Sequence, residues 1–299
     1  MKMVQILMST YNGEKFLREQ LDSILNQDYR DISLLIRDDG STDSTDTIIH
    51  EYISKDSRIT YYKGENVGVR NSFFDLMKHA DLTMDYYALS DQDDVWMVNK
   101  VSKAVEMLQG IEGLPALYAS ETQLVEENLN KIKTQIHRPQ IIPCFGNALV
   151  ENICTGCTCL FNRELLVLVK EHIPEYTVMH DWWLYLSASA FGRVVYDMRS
   201  YILYRQHGNN IVGTKATYLD EFKGRLSRYK GNRGNIRNQL EEFDIIYQLD
   251  IPQKELLNKI LTYKDSIKEK LEMISCHRIY RQRRMDNLIL KVLFIFNEI

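Results

Sequence analysis

Three carboxylates fall within four residues at Asp91-Gln92-Asp93-Asp94, directly after the apolar run Tyr86-Tyr87-Ala88-Leu89. A buried strand that opens into such a turn carries acids to the carboxyl edge of a sheet, where open α/β folds bind ligands. Two of these acids point the same way, because strand side chains alternate. Hard oxygen ligands at that spacing suit a magnesium or manganese ion holding a diphosphate; a solvated turn that caps the next helix is the plainer alternative. Two earlier polar turns also end apolar runs: Ser9-Thr10-Tyr11-Asn12-Gly13 and Arg37-Asp38-Asp39-Gly40-Ser41-Thr42-Asp43. Tyr11 offers a flat face on which a nucleobase can stack, or else fills a strand-helix corner. Gly40 permits a tight backbone, and a fixed carboxylate beside it can accept the imide N–H of a uracil or thymine. Reading Asp43 as a helix cap leaves the acids at 38 and 39 unexplained.

The elements that must carry these turns follow from periodicity. Leu17, Leu21, Ile24 and Leu25 predict a helix over residues 14–26, and Ile48, Ile49, Tyr52 and Ile53 a second one capped by Thr42 or Asp43. Residues 58–62 read as a third strand, and Asn66-Val67-Gly68 leads into a helix through Phe73, Phe74, Leu76 and Met77. Alternating strands and helices predict an α/β, doubly wound parallel sheet with every polar turn on one edge. Further on, residues 116–119 continue the sheet, residues 131–136 suggest a hairpin, residues 137–152 a long connection, and residues 201–203 a strand. Met179-His180-Asp181-Trp182-Trp183 opens a helix that Asp181 is placed to cap.

A chain of 299 residues with 44% hydrophobic and 26% charged residues is that of a globular protein with a sizeable core, not a disordered one. Its start runs straight into a strand without a signal-peptide pattern, which leads us to expect a cytoplasmic protein. Cys154, Cys157 and Cys159 cluster without a second pair or spaced histidines, so packed, reduced thiols are expected. Residues 1–214 hold 20 Lys/Arg against 29 Asp/Glu, whereas residues 215–299 hold 17 against 12. That asymmetry suggests two parts: residues 1–214 as the catalytic domain and residues 215–299 as a basic, helical C-terminal region. In the latter, Arg278, Arg281, Arg283 and Arg284 precede an apolar run from Leu288 to Phe296 that is too short to span a bilayer. Such a segment fits an anionic membrane surface at the inner face of the cell membrane, or docks on its own domain or on a second subunit as a homodimer contact.

The segments Ser-Thr-Tyr-Asn-Gly, Arg-Asp-Asp-Gly-Ser-Thr-Asp, Glu-Asn-Val-Gly and Ser-Asp-Gln-Asp-Asp-Val-Trp, in this order, resemble the family-two glycosyltransferases of the GT-A fold. Within that family they are most similar to bacterial rhamnosyltransferases of cell-wall and capsule polysaccharide synthesis, over roughly residues 3–213. Ser9 departs from the proline that many members carry there. The resemblance implies that Thr10, Tyr11 and Asp39 hold the nucleoside, with Asn12, Asn71 and Gln92 also at the donor, that Asp91 faces the ribose, and that Asp93 and His207 ligate a divalent metal. Asp94 is left to brace the loop or cap a helix. It also implies a strand bearing Thr155-Gly156 beside the donor sugar, Asp181 as general base, and Trp182 or Trp183 against a sugar ring. The processive-synthase motif Gln-x-x-Arg-Trp is absent, which favours single transfers. The implied partners are a dTDP- or UDP-linked sugar and a saccharide acceptor, lipid-linked in one version, and no nucleic acid. A sugar-1-phosphate nucleotidyltransferase would carry a Gly-rich basic loop near the first strand, and a non-catalytic nucleotide-binding scaffold would not need Asp181.

Overall fold

The computed structural model of the chain describes residues 2–132, 140–206 and 234–299. Strand and helix alternate as the apolar spacing requires: β1 (Val4–Thr10), α1 (Leu17–Leu25), β2 (Ile32–Asp38), α2 (Thr45–Ile53), β3 (Ile59–Lys63), α3 (Gly68–His79) and β4 (Tyr86–Ser90). There follow β5 (Val95–Trp96), α4 (Lys100–Leu108), β6 (Ala116–Val125), α5 (Phe145–Ala148), a 3₁₀ turn (Gly156–Thr158), β7 (Leu160–Asn162), α6 (Arg163–Glu171), α7 (His180–Phe191) and β8 (Arg193–Arg205). The strands form one sheet in the order β3-β2-β1-β4-β7-β6-β8-β5. Among the described residues, four of its seven pairings are parallel; β7 runs antiparallel to β4 and β6, and β5 antiparallel to β8. The sheet is thus mixed and mostly parallel, with β1 between β2 and β4 so that the first, second and acidic turns emerge side by side.

Alternation along the central strands feeds two cores. Val4, Ile6 and Met8 pack with Leu17 and Leu21 of α1, Ile48 and Ile49 of α2, and Val101 of α4. Leu7 instead joins Phe73 and Phe74 of α3, Leu165 of α6 and Trp183 of α7. The chain continues into α8 (Asn235–Ile246), α9 (Ile251–Thr262), α10 (Ile267–Ser275) and α11 (Arg284–Ile295). Their buried residues, Phe243, Leu257, Tyr263, Leu290 and Phe294 among them, belong to that second core, and Phe243 meets the Trp183 ring edge-on at 5.2 Å. The boundary expected at residue 214 lies outside the described residues, as does His207; helices α8 to α11, beyond that boundary, pack on the sheet domain.

A strap ahead of α11 fixes this packing. Asn147 Nδ2 donates to the Tyr280 carbonyl (2.9 Å), Arg281 Nε to the Val150 carbonyl (2.9 Å), and Gln282 exchanges hydrogen bonds with the Ile142 backbone. Arg281 is therefore buried at 3% exposure, and the expectation that all four tail arginines share one surface is wrong for this one. Charge alone groups it with its neighbours, whereas the carbonyl it must satisfy lies 131 residues away. Of the two uses foreseen for the last helix, packing on its own domain is met by one face: Ile289, Leu290, Leu293 and Phe294 are buried.

Other local expectations shift for physical reasons. The second helix starts at Thr45, and neither Thr42 nor Asp43 is its cap residue; Asp43 instead accepts from Thr45 N (3.0 Å) and Glu14 N (3.1 Å), tying the first two turns together. Thr155-Gly156 lies not in a strand but at the 3₁₀ turn before β7, closed by Thr158 N and Oγ1 donating to the Thr155 carbonyl. The strand expected at 201–203 is the end of a longer one, paired in parallel with β6. Residues 133–136 of the expected hairpin lie outside the described residues, although a bridge joins Val125 and Lys131. All five cysteines are free, with Cys154, Cys157 and Cys159 buried, as expected of packed thiols. Among the described residues, no helix is long and apolar enough to cross a membrane.

Gly146 tests the strap, because a Cβ there would overlap the Arg278 carbonyl. Gly146→Ala should destabilise by about 1–3 kcal/mol, the usual cost of overpacking, read as a lowered midpoint in urea unfolding. An unchanged midpoint would show that the strap yields freely.

Candidate active site

The three turns surround a cleft of about 440 Å³, within the range of small-molecule sites, lined by Ser9, Tyr11, Asp39, Asn66, Gly68, Val69, the acidic Asp91-Gln92-Asp93 and the β8 end at Tyr204-Arg205-Gln206. Of the residues singled out in the sequence, Tyr11, Asp39, Asp91, Gln92 and Asp93 meet here. Tyr11 stands 46% exposed, with its ring available to a flat ligand. Gln92 fastens the turn beneath it: its Oε1 accepts from Thr10 Oγ1 (2.5 Å) and Tyr11 N (2.8 Å), while its Nε2 donates to the Tyr11 carbonyl (3.0 Å). Thr10 is consequently buried, its hydroxyl committed to Gln92. Asn12 takes a left-handed backbone (φ 48°) that Asn tolerates, receives Thr42 N on Oδ1 and donates its own N–H to Ser41 Oγ, so it joins turns rather than lining the cleft. Asn71, exposed on α3, donates to the Val67 carbonyl and is outside the cleft lining.

The two acids at 38 and 39 have separate tasks. Asp38 Oδ1 accepts from Ser41 N (2.8 Å) and Ser41 Oγ (2.5 Å), which closes the turn around Gly40 at φ 85°. Asp39 is held from behind by Arg37 and by Val67 N and Gly68 N at 2.9 Å each. Oδ2 then carries one hydrogen bond, and a carboxylate oxygen can accept two. Arg37, buried at 4% exposure, also donates Nε to Asp75 (2.8 Å), Nη1 to Ser72 Oγ (3.1 Å) and Nη2 to the Glu65 carbonyl (3.0 Å). Sequence reasoning passed over Arg37; an arginine ending an otherwise apolar strand just before two acids was the available signal.

The acidic loop is similarly held by Arg205, whose Nε donates to the Asp93 carbonyl (2.8 Å), whose Nη2 donates to Glu19 (2.7 Å) and whose backbone N donates to Asp94 Oδ1 (3.1 Å). Asp94 thus braces the loop and does not cap a helix. Burial, then the Asp93 charge, pushes its carboxyl up to about 7, and burial with the Asp94, Asp93 and Asp181 charges pushes Asp91 well up. Ligand atoms of Asp91, Asp94 and Cys157 lie within 4.8 Å of one another, and Asp94 Oδ2 is buried without a hydrogen-bond partner among the described residues. The carboxylates suit a hard cation; the Cys157 thiol, pushed well up by burial, stays protonated and does not. Asp93, the residue expected to ligate, opens on the cleft beside them, and His207, its expected companion, lies outside the described residues.

Asp181 is the second residue of α7 and is no cap: Met179 holds that position. Its Oδ2 accepts from Gly156 N (2.9 Å) and its Oδ1 from Trp182 N (2.7 Å), and it is 8% exposed. Burial pushes its carboxyl up to about 6 against the pull of those N–H donors. A Cβ on Gly156 would stand 3.0 Å from His180 Nε2 and 3.5 Å from Asp181 Oδ2, so the glycine lets its backbone N–H close on the carboxylate beneath His180. His180 stacks on Phe73 at 4.1 Å, neither ring nitrogen is hydrogen-bonded among the described residues, and burial holds it neutral, down to about 3. Trp182 donates Nε1 to the Ala148 carbonyl (2.7 Å) and remains half-buried, whereas Trp183 is core.

Known proteins resemble this chain in sequence and in fold. The family model described as Glycosyl transferase family 2 matches residues 5–168. The chain is 34% identical over 227 residues to a dTDP-rhamnosyl transferase, RfbG, of Shigella flexneri, covering 72% of this chain and 77% of that one. It is 32% identical over 191 residues to the UDP-Glc:alpha-D-GlcNAc-diphosphoundecaprenol beta-1,3-glucosyltransferase WfgD of Escherichia coli, covering 62% and 69%. Among solved structures, S. aureus TarS 1-349 in complex with UDP-GlcNAc superposes with a TM-score of 0.59 at 16% identity, over 98% of this chain and 85% of that one.

Removing Arg37 should damage the Asp39 wall of the cleft first. Arg37→Met leaves the Asp39 carboxylate buried without its cation, held by two backbone N–H groups alone, and stripping one partner from a buried ion pair costs about 3–5 kcal/mol. Thermal unfolding should drop accordingly; a variant as stable as wild type would show that Asp39 does not depend on the guanidinium.

Proposed function

The chain belongs to glycosyl transferase family 2, and from that premise we propose that it is an inverting, non-processive transferase moving L-rhamnose from dTDP-β-L-rhamnose to a saccharide acceptor in cell-surface polysaccharide synthesis. The observation that carries the reading is a buried carboxylate, Asp181, pushed up to about 6, fixed by the Gly156 and Trp182 N–H groups and near enough to the cleft that its charge acts on Asp91. A base with that affinity is ionised at neutral pH yet still takes up a proton readily. Asp181 accepts the proton of an acceptor hydroxyl as its oxygen bonds to the anomeric carbon, and the bond from that carbon to the diphosphate breaks on the opposite side. One displacement inverts the centre and yields an α-L-rhamnoside and dTDP.

The remaining roles are those the family resemblance implies, and the lining of the cleft by Tyr11, Asp39 and Asp91 supports them. Tyr11 stacks on the base, Asp39 Oδ2 accepts the imide N–H, and Asp91 faces the ribose. The cleft wall treats thymine and uracil alike, so a UDP-hexose is the second reading; the RfbG name favours the first and the WfgD name the second. A magnesium or manganese ion held by Asp93, with Asp91 beside it, would offset the charge gathering on the leaving diphosphate. The acceptor in this reading is a lipid-linked saccharide.

Asp181→Asn should retain donor binding in calorimetry and lose about 10²–10⁴-fold in transfer, the usual range for a general base; turnover within a few-fold of wild type would exclude Asp181 as the base. In the wild type, kcat/KM should rise with pH through about 6 and level off, because the base works only when deprotonated. A flat profile between pH 5 and 7 would contradict this assignment (both limits being roughly one unit either side). Asp93→Ala should weaken nucleotide binding only when the divalent ion is present, with thermal unfolding near wild type; equal affinities would remove Asp93 from the metal.

A further inference from the structure

With one face of α11 packed into the core, the opposite face has its own pattern. Arg284, Leu288, Lys291 and Ile295 follow one another at spacings of four, three and four residues, which stacks them in a single stripe along a helix. Arg284 is exposed, Lys291 is half-buried, Leu288 and Ile295 are 55% and 49% exposed, and Phe296 just beyond is 68% exposed. The acid of this helix, Asp286, lies on the buried face. Basic and bulky apolar side chains alternating along one line is the arrangement in which apolar groups enter a lipid surface while long cationic stems reach back to its headgroups.

We infer that this stripe docks on an anionic lipid surface, with α11 lying along it. Its 12 residues extend about 18 Å at the rise of an α-helix, well short of a hydrocarbon core. Charge decides against a second copy of the chain as the occupant. A two-fold antiparallel pairing of the stripe would set each cation against an apolar side chain, with the helix's acid turned to the buried face and unable to pair it; an anionic leaflet neutralises both Arg284 and Lys291. Arg281, buried in the strap, takes no part. The inference deepens the proposed function and rests on it for meaning: it brings a transferase to the surface where a lipid-linked acceptor is held.

The test uses the full chain and two vesicle compositions, phosphatidylcholine alone and an equal mixture with phosphatidylglycerol. Wild type should sediment with the mixed vesicles and not with the neutral ones. Arg284→Gln and Lys291→Gln should each weaken binding about five-fold, the worth of one basic residue beside an anionic leaflet. Leu288→Ser with Phe296→Ser should abolish it, with unchanged thermal unfolding because these side chains are exposed. Transfer to a short soluble acceptor should stay at the wild-type rate in all of them. Equal sedimentation of variants and wild type, or no vesicle binding by the wild type, overturns the inference, as does a dimer in light scattering that Leu288→Ser dissociates. Because sedimentation needs no turnover, failure here leaves the proposed transfer standing, and absence of transfer in the wild type leaves the docking result standing.

Discussion

Carboxylates gathered at one end of a sheet repel one another, and the fold is arranged around that fact. Asp91, Asp93, Asp94 and Asp181 are close enough that the charges of the other three push Asp91 upward, on top of its burial. The protein supplies cations from behind the acids. Arg205 spans from Glu19 to the Asp93 carbonyl with its guanidinium 4.3 Å from the centre of the Phe16 ring. Lys100 is buried with Nζ 3.6 Å from the centre of the Trp96 ring; burial pushes it down to about 8, and the Asp94 charge opposes that fall. On the open side stand Asp91 and Asp93, where a divalent ion arriving with a diphosphate would complete the charge balance.

The Asp39 wall of the cleft uses the same device. Asp39 stays rigid because Arg37 and two backbone N–H groups fix it, and Arg37 stays rigid because Asp75, Ser72 and the Glu65 carbonyl fix it in turn. Rigid carboxylates cost little reorganisation when a ligand arrives. Asp181 follows suit through α7: the Ala148 carbonyl holds Trp182, Asn147 Oδ1 accepts from Tyr185 OH (2.8 Å), and the strap at Tyr280–Gln282 holds the segment bearing both. The C-terminal helices therefore bear on the candidate base as well as on the core.

The turns were legible because each is a polar cluster ending an apolar run, a local signal that survives without any partner. What each side chain does within its turn was not. Thr10 and Asp91 read as ligand-facing in the same way, yet Thr10 is closed off by a glutamine 82 residues away. Asp94 gave no local sign that Arg205 would receive it. Arg278, Arg281, Arg283 and Arg284 are equivalent by charge, and only the strap's need to satisfy the Val150 carbonyl separates Arg281 from the rest. For β7 the resemblance put a strand at Thr155-Gly156, too early, and its antiparallel direction was hidden, because a three-residue strand entered from a 3₁₀ turn has no periodicity to read.

Central to the proposed chemistry is a single displacement in which Asp181 activates the acceptor from the face opposite the leaving diphosphate. The anomeric configuration of the product, read by NMR after incubation with dTDP-β-L-rhamnose, a divalent ion and a saccharide acceptor, tests it most directly. Inversion predicts an α-L-rhamnoside; a β-linked product would mean retention and contradict a single displacement.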